Sequence, residues 1–282
     1  DVDELGRTSY SDVDTLVSAL LISNEEHLAT EYMLTYSEGG NTLTGVDSNG
    51  DNYLIVGVDS VVVTKANLEE QLGKGNVTDE LVKKAFAIDY GIKDLNNVFA
   101  IEQAGNFHLD MCMSIIDGKT VILNDSVDAH QFYEKFLKDK VKSWQSKKFR
   151  TLSENTLETA KGIKALEDAA AKELEKNGFT VHRVPGVYKD FESGAQRMNF
   201  FNMVQLRCPS HKMRKPEQKV IVALGYEDER FKEKFESSLK TAGLTPDHIH
   251  YLEFTQTLKT LQLSGGISCR TKTIEIFEST DV

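Results

Sequence analysis

Three short motifs carry the side chains that could do chemistry: Glu38-Gly39-Gly40-Asn41, His108-Leu109-Asp110, and Gly265-Gly266-Ile267-Ser268-Cys269-Arg270-Thr271. Together they supply a thiol, an imidazole and two carboxylates. A thiolate attacks an electron-poor carbon, an imidazole moves the protons, and carboxylates hold a cation. That set fits attack on the central carbon of a guanidinium. Each motif alone is weak. Their order, with the thiol near the C-terminus, makes the set more specific.

Each motif also has a plainer reading. Cys269 follows a glycine pair, which lets backbone approach a ligand closely. A free cysteine is equally at home as a small buried apolar residue, and Cys112 and Cys208 are read that way. His108 and Asp110 are two apart, which on a strand puts both on one face; a simple hydrogen-bonded pair is the alternative. Glu38 before Gly39-Gly40 could mark only a bulge. Asn41 could orient a substrate or bond its own turn. His248 and His250 form a weaker candidate metal pair. Residues 47–51 look superficially like a calcium loop. However, Asn52 stands where that loop needs Gly and Val58 where it needs Glu, so a tight hairpin turn fits better.

The chain has 282 residues, 40% of them hydrophobic, enough to build a core in one large or two small domains. A net charge of −11 argues against a general nucleic-acid binder and suits a cationic substrate. Three cysteines without a Cys-x-x-Cys spacing give neither a disulfide framework nor a zinc site, and point to a reducing, cytoplasmic setting. No apolar run approaches the roughly 18 residues of a membrane span, and no signal peptide is evident.

Periodicity predicts helices at 12–22, 78–90, 128–144, 153–177 and 228–242. It predicts strands at 32–44, 98–102, 109–116, 120–123, 179–184, 198–206, 219–224, 248–254 and 271–277, and a strand pair over 53–64. Residues 1–30 read as a helical segment before an αβ domain at 31–282, with a long helical insertion around 153–177 ended by Gly178. The charged face of that helix reads as solvated, with docking of a protein partner as the alternative. A unit of two strands, a helix and another strand recurs at roughly 32–105, 106–185 and 195–255. Units unable to bury their own faces must stack on neighbours. A ring of them brings the starts of their first strands to one centre, where Glu38, His108 and Cys269 would converge.

Taken together, these residues resemble the guanidino-group-modifying superfamily of arginine, agmatine and peptidylarginine deiminases, dimethylarginine hydrolases and amidinotransferases. The resemblance covers about residue 31 to the C-terminus. It implies an α/β fold, the pentein-type αβ propeller of five ββαβ units. Glu38–Asn41 is similar to the family segment whose acid grips the guanidinium. His108-Leu109-Asp110 is similar to its His-x-Asp motif, with His108 as acid/base and Asp110 as substrate ligand. Cys269 takes the place of its nucleophile, and Asn199-Phe200-Phe201-Asn202 is a looser match to its fourth-unit Asn-Phe strand. The implied reaction is hydrolysis of a guanidino small molecule or a protein arginine through a covalent Cys269 intermediate. It needs no metal or cofactor. An amidinotransferase differs only in the second nucleophile. A cysteine peptidase using Cys269 and His108, and a non-catalytic binding module on the same propeller, also stay open.

One departure matters. The family has a further Asp in an Arg-Asp segment ahead of the Glu-Gly-Gly motif. Here Asp12 and Asp14 precede Glu38, but in no such context. About three and a half units are countable in place of five, so the expectation is a missing N-terminal unit or an incomplete ring, in a fragment of a longer protein.

Overall fold

The computed structural model describes residues 33–104, 108–140, 147–186, 199–208, 218–226, 228–244, 248–253 and 256. The chain divides into two units, Asp1–Leu34 and Thr35–Val282, and the second carries the elements that follow.

One supersecondary pattern occurs three times. Strand β1 (Thr42–Val46) pairs antiparallel with β2 (Asn52–Gly57). Their hairpin turn is organised by Asp47, whose carboxylate accepts from the backbone N–H groups of Asn49 and Asp51 at 2.8 and 3.0 Å. Gly50 supplies the positive φ of 83° that the turn requires. A parallel third strand needs a crossover. Here it is made by α1 (Val58–Leu72) and α2 (Asp79–Asp89), leading to β3 (Val98–Ile101). The second unit runs β4 (Met113–Asp117), β5 (Thr120–Asn124), α3 (Ser126–Lys140), α4 (Lys147–Lys176) and β6 (Thr180–Val184). The third runs β7 (Val204–Cys208), β8 (Gln218–Ala223), α5 (Glu229–Thr241) and β9 (His248–Tyr251). Each is a separate three-stranded sheet with its second strand in the middle. The described residues therefore form a mixed α/β structure of three ββαβ units, and close no ring.

The core explains why these units stack. Strand β2 is apolar on both faces, as a middle strand covered on two sides must be. Leu54 and Val56 pack with Leu68 of α1 and with Val82 and Phe86 of α2. Tyr53 and Ile55 face the other way, onto Ala170 and Leu174 of α4 together with Val121 and Leu123 of β5. The intervening Ile122 joins Val184 in a cluster with Phe200 and with Phe231 and Phe235 of α5. The first and second sheets are thus each covered on one face by the next unit's helix.

Four local expectations are corrected. The strand predicted at 32–44 is confined to its end: Gly39–Asn41 form a 3₁₀ turn and β1 begins at Thr42. Residues 58–64 are helical, not the second strand of a pair: a run with Val61-Val62-Val63 favours strand, but the crossover demands a helix and tertiary context overrides a weak propensity. Residues 109–111 form a 3₁₀ turn before β4, so His108 and Asp110 are not alternate residues of one strand. Residues 199–203 form a buried turn, and the strand predicted from 198 begins at Val204. The long helix also departs from a wholly solvated charged face, because Glu167 is fully buried. Among the described residues no helix is long and apolar enough to cross a membrane. The segments predicted at 12–22 and 271–277 lie outside the described residues.

Candidate functional site

A tight turn leads into each first strand: Gly39–Asn41 before β1, Leu109–Met111 before β4, and residues 199–202 before β7. The helices of the first unit fix the backbone that carries Glu38. The Thr35 N–H and hydroxyl donate to Asp89 Oδ2 at 2.8 and 2.7 Å. The Tyr36 N–H donates to Thr64 Oγ1 at 3.0 Å, and the Ser37 and Tyr90 hydroxyls lie 2.7 Å apart. Asn41 Nδ2 donates to Ser60 Oγ at 2.9 Å. Ser60 and Thr64 are one helical turn apart on α1 and both buried, so one polar stripe on that helix holds the turn at two points.

The second turn is anchored from below. Leu109 and Met111 are buried in the core, the Cys112 N–H closes the turn on the Leu109 carbonyl at 2.9 Å, and the Asn124 N–H reaches the Cys112 carbonyl at 2.8 Å. His108 and Asp110 flank Leu109 and meet the first turn. His108 Nε2 contacts Glu38 Oε2, while Tyr36 Oη donates to Glu38 Oε1 at 2.8 Å. Gly40 is where the two turns touch. A Cβ there would lie 2.5 Å from His108 Nδ1 and 2.9 Å from Asp110 Oδ1, so only glycine admits this approach.

The third turn completes the cluster. Asn202 Nδ2 donates to Asp110 Oδ2 at 2.8 Å, and Asn199 Nδ2 donates to the Met111 carbonyl at 3.1 Å. Asp110 is 4% exposed. It also lines a cavity of about 1080 Å³ between the first strands, bordered among others by Thr44, Ser114, Phe201 and Met203. The Glu38 and His108 side chains stay accessible, at 41% and 20%. Two carboxylates and an imidazole from two different units therefore share one place, a setting suited to a planar cation with several N–H donors.

Of the residues singled out from sequence, Glu38, His108 and Asp110 come together. Asn41 is 3% exposed, bonds Ser60, and lies where a Cβ on Gly57 would collide with its amide; it supports the Glu38 turn. Cys112 is fully buried with its thiol on the Leu109 carbonyl at 3.3 Å. Burial pushes that thiol well above its usual range, and the Glu167 and Asp110 carboxylates add to the effect. It is no nucleophile. Cys269 with its loop at 265–271, and Asp12 and Asp14, lie outside the described residues, as does the Cys208 side chain. Asn202 carried no assigned role in the sequence; its signal was an Asn three residues after another Asn within an aromatic run.

No protein-family model matches this chain, and no curated protein matches it significantly. Among solved structures it is similar to C. jejuni agmatine deiminase, with a TM-score of 0.50 and 15% identity over 92% of this chain. The match covers 62% of that enzyme's chain, so this chain spans about three-fifths of its length. At this identity the likeness is one of fold: the chain folds like part of an agmatine deiminase.

Proposed function

We propose that this chain carries the guanidinium site of a deiminase-like hydrolase on a pentein-type propeller. The observation that carries the reading is the meeting of Glu38, His108 and Asp110 from two ββαβ units, in a fold shared with an agmatine deiminase. The guanidinium sits between the Glu38 and Asp110 carboxylates, its N–H groups competing with His108 for Glu38 Oε2. Two carboxylates facing one cation reject neutral analogues, because the acids would be left without their partner. The Cys269 thiolate attacks the central carbon and a C–S bond forms. His108 gives a proton to the departing nitrogen as the C–N bond breaks, leaving a thiouronium on Cys269. His108 then takes a proton from water, whose oxygen attacks the same carbon. The C–S bond breaks and the thiolate returns, the hydroxyl proton passes to the released ammonia or amine, and a ureido product leaves.

Incubation of the full-length protein with agmatine, arginine, methylarginines and an arginine peptide tests this. Ureido product is expected from one of these, together with a transient mass adduct on Cys269. Cys269→Ala should abolish turnover. Adduct without ureido product would move the reading to amidino transfer onto an amine. Turnover retained in Cys269→Ala would remove the nucleophile assignment.

A further inference from the structure

Asn202 comes from the third unit, 92 residues along the chain from Asp110, and both side chains are buried. The orientation of its amide has a second support: the same Nδ2 that faces Asp110 Oδ2 also lies 3.5 Å from Met111 Sδ, and a thioether can only accept. The residue cannot swing away. Its own N–H and that of Phe201 are held by Asn199 Oδ1, at 3.4 and 3.0 Å. Asn199 in turn grips the Met111 carbonyl, and Phe200 between them stacks on Phe235 with ring centroids 4.4 Å apart. Ser114 Oγ donates to the Phe201 carbonyl at 2.6 Å, tying the same turn to β4.

We infer that Asn202 is the positioning residue for Asp110: its amide fixes the carboxylate plane and favours the ionised form in a buried setting. Burial alone drives a carboxyl toward its neutral form, while a hydrogen bond donated to the anion opposes that. A neutral donor suits this purpose better than Lys or Arg. It stabilises the anion without cancelling its charge, so the negative field stays available to a cationic ligand. Oδ2 is turned to Asn202, and Oδ1 is turned toward Gly40 at the junction with His108. The role in ligand binding rests on the guanidinium reading; the effect on Asp110 itself does not.

The test is Asn202→Leu, close in shape but without the donor, with Asn202→Ser as a milder variant that keeps a hydroxyl. Two quantities are read in folded protein: the pH dependence of agmatine and arginine binding by calorimetry, and the titration of the Asp110 carboxyl by ¹³C NMR without ligand. Asn202→Leu should weaken binding about tenfold near neutral pH, the scale of a lost hydrogen bond to a charged group. It should also move the acid limb of binding, and the carboxyl titration, to higher pH. Asn202→Ser should fall between it and the wild type. A merely structural Asn202 would lower thermal stability and leave both titrations in place; that result, in Leu or, if Leu does not fold, in Ser, overturns the inference. If the wild type binds neither ligand at any pH, the guanidinium reading fails, and the carboxyl titration alone still decides the role of Asn202.

Discussion

The first and second units share one topology yet close the same junction with opposite chemistry. In both, the middle strand runs straight into a helix whose first N–H groups need acceptors. In the first unit the acceptor is neutral: Gln103 Oε1, just beyond β3, takes the Asp59 N–H at 2.9 Å. In the second it is the buried carboxylate of Glu167 on α4. That group takes the Ser126 N–H at 3.1 Å, the Ser126 hydroxyl at 2.5 Å and Asn124 Nδ2 at 2.5 Å, and Arg183 Nη2 lies 3.3 Å away. Beside it Asp125 pairs with Lys164 at 3.0 Å. The fold asks only for an acceptor at this point. Whether the acceptor is charged decides how the unit responds to substitution and to pH.

The largest expected effect breaks the charged junction. Glu167→Ala leaves Asn124 and the Ser126 N–H without their buried carboxylate, while Arg183 keeps Asp168 Oδ1 at 3.0 Å and the residue 167 carbonyl at 3.1 Å. Removing one member of such a network should cost about 3–5 kcal/mol in denaturant unfolding; a loss under about 1 kcal/mol would mean the carboxylate is solvated in practice. The pH response separates the two units further. Burial pushes the Glu167 carboxyl up, and the hydrogen bonds from Ser126 and Asn124 and the Arg183 charge only partly offset it. With the folded value above the unfolded one, its favourable contribution is complete below the usual glutamate range. It is lost as pH rises through the raised value. At Asp125 burial also pushes upward, but the Asp128 N–H and Lys164 outweigh it and hold the carboxyl below its usual range. Its contribution is therefore present above that range and lost as pH falls. Glu167→Gln, which imitates Gln103, should remove the stability loss on the rising side and leave the Asp125 limb on the acid side. An unchanged rising limb would show that another group sets it.

Much of this architecture was legible in the sequence, for a physical reason. Middle strands buried on both faces must be apolar throughout, and the runs at 53–57 and 120–123 announce two of the three sheets. The ββαβ spacing follows from the need for a crossover before a parallel strand. Glu38, His108 and Asp110 were found because they stand in two short motifs, Glu-Gly-Gly-Asn and His-Leu-Asp, that bring carboxylates and an imidazole into one set. The misses are as instructive. Val61–Val63 hid a helix, although Ser60 and Thr64 kept its period. Glu167 looked like one acid among many, yet it stands on the stripe Ala160, Ile163, Glu167, Ala170, Leu174, whose steps of three and four mark the buried face. Asn202 could not be assigned because its partner lies in another unit, and no local pattern carries such a pairing.

The contact between the two units offers the next effect in size. Gly40→Ala places a methyl group against the His108 ring and the Asp110 carboxylate, at the 2.5 and 2.9 Å separations given above. Neither neighbour can easily retreat, since His108 is held by Glu38 and Asp110 by Asn202. Overpacking of this kind should cost about 1–3 kcal/mol. Stability unchanged in Gly40→Ala would show that the turns do not meet this closely in solution. A smaller loss is expected at the neutral junction. Gln103→Ala removes the acceptor of one helix N–H, and because Asp59 is exposed water can replace it. The cost should be about 0.5–1.5 kcal/mol without pH dependence. A loss as large as that of Glu167→Ala would erase the contrast between the units.

The smallest effect sharpens the contrast most. Gly39 and Gly40 are adjacent, both in the same 3₁₀ turn, and neither has a positive φ. A Cβ on Gly39 would have nothing within 4 Å. Alanine there meets no clash and no strained backbone, and it restricts the unfolded chain slightly, so Gly39→Ala should be neutral or stabilise by up to about 1 kcal/mol. Paired unfolding curves of the two alanine variants therefore separate two reasons for a glycine pair. If both glycines serve backbone freedom, the variants lose alike. If the pair exists so that one unit can press its turn against the next, Gly40 alone is sensitive. The contact that brings Glu38 to His108 and Asp110 is then what this motif preserves.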